Sequence, residues 1–321
     1  MLQGLSRIAQ RVLREFKPPF ARVSLPASAV PEDRGQAPTQ FEKLKRVVLT
    51  DGVGRTLFEE FVRHQQSERG HEETGWLLLG LRRETEAIVL ATLPAGASRD
   101  AGVAHVRFNS AAQMVATRML RQEEKRLSIL GVVHTHPGTL RHPSNGDYRG
   151  DSVWVQQLRG REGVFGIGTL EKEEAGPSWL VERPRPHIQR QGRRRFTWYA
   201  LGAGDAAYRT VPVEYTLGPD LGIATHSAWS TIECHAEALE RICRQQARVT
   251  LIAGNQDGMH LKVKVPLAEP GDAVEMELVR EKAAFFVLLN GTTHAVDPKE
   301  QNIEKALYMI LAELAAQAAK E

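Results

Sequence analysis

Apolar positions along this chain follow two rhythms, and the changes between them mark the elements. KRVVLT, from residue 45, reads as a strand, and GRTLFEEFVRHQQ after it repeats its apolar residues at helical spacing. TGWLLLGLRR and EAIVLATLPA return to strand-like runs, and AHVRFNS reads as a third strand. SAAQMVATRMLRQEEKR then places its apolar residues on one helical face. LSILGVVHTH is a near-continuous apolar run, as expected of a buried strand. DYRGDSVWVQQLRG reads as a helix, and GVFGIGTLE and SWLVERP close a mixed α/β unit over residues 43–184.

The flanks differ in texture. Residues 1–42 hold an amphipathic helix, with Leu2, Leu5, Ile8, Val12, Leu13 and Phe16 at helical spacing, followed by a Pro/Ala-rich linker. The helix is expected to pack on its own protein, with a membrane surface or a partner helix as the alternative. Residues 185–195 lie in the segment RPRPHIQRQGRRRF and read as a Pro/Arg-rich linker, with an acidic partner as the alternative. Residues 196–321 read as a second, α+β domain. It has a helix around 230–247, strands in RVTLIAG, HLKVKVPL, AVEMELV and AFFVLLNG, and a final helix near 300–319.

Composition narrows the setting. The length of 321 residues fits two domains at about 150 residues each. A net charge of +3 is too small to argue for nucleic acid, and no apolar run approaches the roughly 18 residues that span a bilayer. The first residues lack the pattern of a secretory signal. The two cysteines, Cys234 and Cys243, fall on one predicted helix, roughly 13 Å apart along its axis and too far for a disulfide. Reduced thiols and no signal point to the cytoplasm.

The chemistry concentrates in GVVHTHPGTLRHPSNGD, residues 131–147. His134 and His136 are two apart at the end of a strand, so their imidazoles share one face. Pro137–Gly138 turns the chain. Ser144 can cap the following helix, with Asp147 in its first turn. Two imidazoles and a carboxylate make three ligands with a fourth position open, the pattern of a hydrolytic zinc site. A base is then required, and HEETGWLLLG offers Glu72 and Glu73 where a polar stretch enters an apolar strand.

Together, Glu72 to Gly80, the HTHP of His134–Pro137 and the SxxD of Ser144–Asp147 resemble the JAMM/MPN zinc metalloproteases, the JAB-domain deubiquitinases and their bacterial relatives. The resemblance covers residues 43–184 and implies a central mixed sheet flanked by helices. Counting from the glycine selects Glu72 as the matching acid, ahead of Glu73. The resemblance implies Zn2+ held by His134, His136 and Asp147, Glu72 as the proton carrier, and Ser144 as a donor to the oxyanion. Asp151 and His142 have no matching role and are assigned to structure.

The implied substrate is the tail of a ubiquitin-like protein or its conjugates, cut at a peptide or isopeptide bond. Bacterial relatives that mature sulfur carriers, or that sit in antiphage operons, are covered by the same motif. Three other readings compete. Two histidines and a carboxylate also suit Fe(II) in oxygenases, which need neither Glu72 nor Ser144. A DNA-repair-associated relative carries a similar motif. A binding module without catalysis has no use for an open metal position with an acid beside it.

Overall fold

The computed structural model describes residues 40–96, 100–101, 106–107, 110–138, 140–172, 180–254 and 260–318. The helix expected over residues 1–20 and nearly all of the linker after it lie outside these. The chain divides into two units, one spanning Thr39–Glu233 and the other containing Cys234–Glu321.

The first unit opens with strand β1 (Arg46–Thr50) and helix α1 (Asp51–Gln65). Thr50 ends the strand and caps the helix, its hydroxyl accepting from the Val53 amide at 3.3 Å. Val53, Leu57, Phe58 and Phe61 recur at helical spacing and are all buried. Strands β2 (Gly75–Arg82) and β3 (Glu86–Pro94) follow as an antiparallel pair. The short pair β4 (Asp100–Ala101) and β5 (Val106–Arg107) comes next. Of the described residues of the expected strand AHVRFNS, Val106 and Arg107 are strand, and its last, Ser110, begins helix α2 (Ser110–Glu123).

Strand β6 (Ser128–Thr135) leads into the metal-motif loop, which ends at helix α3 (Asn145–Trp154). Strand β7 (Glu162–Leu170) then runs parallel to β6. Gly131 permits that pairing, because a Cβ there would stand 1.7 Å from the Val164 carbonyl oxygen of β7.

The segment expected to be a linker folds into the same sheet. Strands β8 (Glu182–Arg185), β9 (Ile188–Gln191) and β10 (Arg194–Gly202) continue antiparallel from β7, β11 (Arg209–Thr210) pairs with β10, and β12 (Val213–Thr216) pairs parallel with β1. The result is a ten-stranded mixed sheet in the order β12-β1-β3-β2-β6-β7-β10-β9-β8 with β11 on β10. Two expectations are thereby corrected: residues 185–195 are not a linker, and the second domain does not begin at 196. Phe196 and Trp198 are fully buried in the core of the first unit, where Phe196 packs edge-on against Phe58 at 5.0 Å between ring centres.

The arginines hid this because most of them have a partner inside their own unit. Arg183 donates to the Val213 carbonyl at 2.9 Å, Arg190 pairs with Glu182 at 3.2 Å, and Arg195 pairs with Glu171 at 3.1 Å. Arg194 donates to Gln65 Oε1 at 2.9 Å. At the far end of the sheet, buried Glu162 accepts from the Leu44 amide at 2.7 Å and from Arg82 at 3.2 Å, so the start of the unit is tied to β2 and β7. Helix α4 (Ile223–Ser227) follows β12, and helix α5 (Trp229–Gln245) carries the division between the units, together with Cys234 and Cys243.

The second unit is an antiparallel meander of β13 (Thr250–Ala253), β14 (His260–Pro266), β15 (Ala273–Val279), β16 (Lys282–Leu289) and β17 (Thr292–Val296), followed by helix α6 (Ile303–Ala318). Strand β14 alternates buried Leu261, Val263 and Val265 with half-buried polar neighbours, the pattern of a sheet with one packed face. Among the described residues, no helix is long and apolar enough to cross a membrane.

Candidate metal centre

The site forms where β2 begins and β6 ends. Gly75 pairs with His134 in the antiparallel register, and the Thr135 amide donates to the Thr74 carbonyl at 2.8 Å. The Thr74 amide in turn donates to Thr135 Oγ1 at 3.0 Å, and the His136 amide donates to the Gly168 carbonyl at 2.8 Å. His134 and His136 are therefore fixed by β2 on one side and β7 on the other.

Their Nε2 atoms face each other at 3.0 Å, with ring centres 4.9 Å apart. Both rings are buried. The Nδ1 of His136 meets the Leu140 carbonyl at 3.0 Å, a contact that fixes the ring when that nitrogen carries the proton and leaves Nε2 as the ligating atom.

Asp147 is delivered by the helix cap. Ser144 Oγ accepts from the Asp147 amide at 3.1 Å, and Asp147 Oδ2 accepts from the Ser144 amide at 2.6 Å, a reciprocal capping box. This aims the carboxylate at the imidazoles, with Oδ1 3.4 Å from His134 Nε2 and Oδ2 3.6 Å from His136 Nε2. Burial pushes the Asp147 carboxyl up, but the two imidazoles and the Ser144 amide outweigh it and hold the group well below the ordinary carboxylate range. Burial lowers His136, yet its contacts with Asp147, Leu140 and Glu73 raise it on balance.

The donor set fits a tetrahedral ion. Ligands about 2.0–2.1 Å from zinc lie roughly 3.3 Å from one another. The three side chains each offer one atom, all within 4.8 Å of one another.

The acid is placed differently from the sequence expectation. Continuing the Gly75–His134 register by two residues sets Glu73 opposite His136. Its Oε1 lies 4.0 Å from His136 Nε2, and the side chain is buried. The Glu72 carboxylate instead meets Arg69 at 2.6 Å, and its carbonyl meets His64 Nε2 at 2.9 Å. The sequence predicts Glu72 as the acid, whereas the carboxylate 4.0 Å from His136 is that of Glu73. The reason is the period of two along an extended chain.

The other predicted side chains have plain positions. His142 is exposed in the loop, its Nδ1 at 3.1 Å from the Pro143 carbonyl. Asp151 accepts from Tyr208 Oη at 2.6 Å, and burial raises its carboxyl to about 6. Tyr199 escaped the sequence reading. Its hydroxyl donates to the Arg141 carbonyl at 3.2 Å and so braces the loop between His136 and Ser144. Tyr199 belongs to β10, in a stretch where the sequence predicts another domain.

Residues 54–182 match the family model described as prokaryotic homologs of the JAB domain. The match ends before β9, β10 and β12, which complete the sheet. Among solved structures, a solution structure of a protein from Desulfitobacterium hafniense aligns with 53% of this chain and 94% of its own, at 16% identity and a TM-score of 0.34. No curated protein matches the chain.

Proposed function

We propose that the JAB domain at residues 54–182 is a zinc-dependent peptidase or isopeptidase that cuts after the C-terminal tail of a ubiquitin-like protein, in the cytoplasm. The observation that carries the hydrolase reading is the buried Glu73 carboxylate beside two facing imidazoles and Asp147. The substrate class rests on the motif resemblance, which extends equally to the sulfur-carrier and antiphage relatives.

His134 Nε2, His136 Nε2 and Asp147 would hold the ion. When bound, zinc would polarise a substrate carbonyl and make water available as a nucleophile near neutral pH. Glu73 accepts the proton of the attacking water and delivers it to the leaving amine. Ser144 accepts the Asp147 amide through one lone pair, so its hydroxyl proton remains available for the substrate oxygen as negative charge develops. Glu73 also separates this reading from an Fe(II) oxygenase, which needs no carboxylate beyond the one in its ligand set.

The test is cleavage of a linear fusion in which a ubiquitin-like protein with a Gly-Gly tail precedes a reporter. Zinc content is measured on the wild type, Glu73→Gln and Glu72→Gln. Cleavage by wild type and Glu72→Gln, with Glu73→Gln inactive but zinc-loaded, supports the reading. A zinc-loaded wild type that leaves every such fusion intact overturns the substrate. A chain that takes up no stoichiometric zinc overturns the whole assignment.

A further inference from the structure

Beside His136 lies a cavity of about 320 Å³, walled by the end of α1, the loop that carries Glu72, and the residues that follow β6 and end β7. This volume is at the small end for ligand sites and suits one large side chain. We propose that the cavity is a substrate subsite that takes a bulky apolar side chain within two residues of the scissile bond. The inference rests on the peptidase reading for the position of that bond.

The argument is one of residual chemistry. Three of the polar groups in the wall are engaged with their own unit. The Glu72 carboxylate meets Arg69 at 2.6 Å, Gln65 Oε1 accepts from Arg194 at 2.9 Å, and His64 Nε2 meets the Glu72 carbonyl at 2.9 Å. With the acid and the guanidinium cancelling each other, no net charge is left to select a charged side chain. Beside the Gln65 amide nitrogen and the exposed His71, what remains to meet a ligand is apolar: Phe61 from α1, Pro137 after the second histidine, and the partly exposed Leu170. His136 is part of the same wall, so a side chain seated here belongs to a residue next to the reacting carbonyl. A tail with glycine at that position leaves the cavity unfilled.

Gly138 gives a means of closing it. It lies in the wall, a Cβ there meets nothing within 4 Å, and its φ is not positive, so a large side chain can be added without backbone strain. The probes are N-acetylated tripeptide amides that differ only in the central residue, which is Gly, Leu, Phe, Arg or Glu. They are titrated into the full zinc-loaded chain and followed by the backbone amide shifts of Gly70 and Gly138. The same five residues are placed at each position within two of the scissile bond in the linear fusion, and kcat and KM are determined separately.

The expected result is that Leu and Phe peptides bind about tenfold tighter than Gly, as filling an apolar pocket with a side chain of that size provides. In the fusions the preference is expected mainly in KM. Gly138→Phe and, independently, Leu170→Ser should shrink the ratio of bulky to glycine binding toward one. Equal binding of the glycine peptide, a preference for Arg or Glu, or a bulky preference that survives both substitutions overturns the subsite. Selective binding by a chain that cleaves no fusion upholds an apolar side-chain pocket but overturns its place beside a scissile bond, together with the peptidase reading.

Discussion

Glu73 stands opposite His136 across the β2–β6 pair with its Oε1 4.0 Å from Nε2, while Glu72, one residue earlier, is drawn to Arg69 at 2.6 Å. The two adjacent acids therefore have different surroundings. One is buried beside the metal-competent side chains, and the other belongs to the loop between α1 and β2. Proton transfer by a positioned side chain contributes roughly 10²–10⁴-fold to a rate. Glu73→Gln is expected to lose cleavage of the fusion on that scale with zinc retained, while Glu72→Gln stays within a few-fold of wild type. Steady-state kinetics with metal analysis on the same samples decides it, and the reverse ranking would return the role to Glu72.

Zinc binding should stabilise the first unit through His134, His136 and Asp147. A ligand at a hundred times its Kd adds about 2.7 kcal/mol to the folded state. Zinc is expected to raise the wild-type Tm and a chelator to reverse the rise. Asp147→Asn and His134→Ala should each abolish most of the shift, and a shift that persists in both would place the ion elsewhere.

Ser144 has two separable duties, as helix cap and as donor to a substrate oxygen. Ser144→Ala is expected to cost about 1 kcal/mol in urea unfolding, as loss of an N-cap does. It should also lower kcat by about 10²-fold, as loss of an oxyanion donor does. Ser144→Thr keeps a hydroxyl and should recover most of both. Loss of stability with kcat unchanged would leave Ser144 as a cap alone.

His226 and Glu60 make the fold pH-dependent. His226 Nδ1 lies 2.6 Å from Glu60 Oε1 and its Nε2 lies 2.7 Å from the Thr92 carbonyl, so both ring nitrogens face acceptors. Burial lowers the His226 pKa, but Glu60, Asp220 and the Thr92 carbonyl raise it overall. Burial raises the Glu60 carboxyl, but His226 and Trp76 outweigh it and lower it. A raised histidine stabilises fully below its ordinary value of 6.5 and loses that stability as pH climbs through the folded value. A lowered carboxyl stabilises above its ordinary 4.5 and loses that as pH falls through its folded value. The pair is therefore expected to contribute most between pH 4.5 and 6.5 and to weaken above that window. Urea midpoints across pH 4–9 should show the alkaline decline in wild type and a flatter profile in His226→Gln; equal slopes would remove the pair from the account.

Phe196 tests the corrected domain boundary. It is fully buried against Phe58, Phe61 and Trp76, so Phe196→Ala should destabilise the unit that holds the site by about 3–5 kcal/mol. Hydrogen exchange resolved by segment would show lost protection in β2, β6 and β7. Loss confined to residues after 234 would restore the earlier boundary.

Much of the first unit could be read from the chain because its signals are local. Helix α1, strands β2 and β3, helix α2 and strand β6 each carry a periodicity that depends only on near neighbours. The two histidines share a face because they are two apart on a strand, and the Ser144–Asp147 cap is a contact three residues long. The sequence by itself therefore determined the trio of side chains that could hold a metal, the mixed α/β class and the presence of a second unit.

The choice between Glu72 and Glu73 was not local. A strand turns successive side chains to opposite faces, so the answer depends on which residue pairs with His134, and only the β2–β6 register decides that. The domain boundary was hidden for a related reason. An arginine-rich run looks solvated until Val213, Glu182, Glu171 and Gln65, distant or separated in sequence, supply its partners. Local periodicity gave most elements of the first unit and the three side chains that could hold a metal. Register and long-range pairing, which exist only once the sheet has formed, decided which acid faces the metal position and where the domain ends.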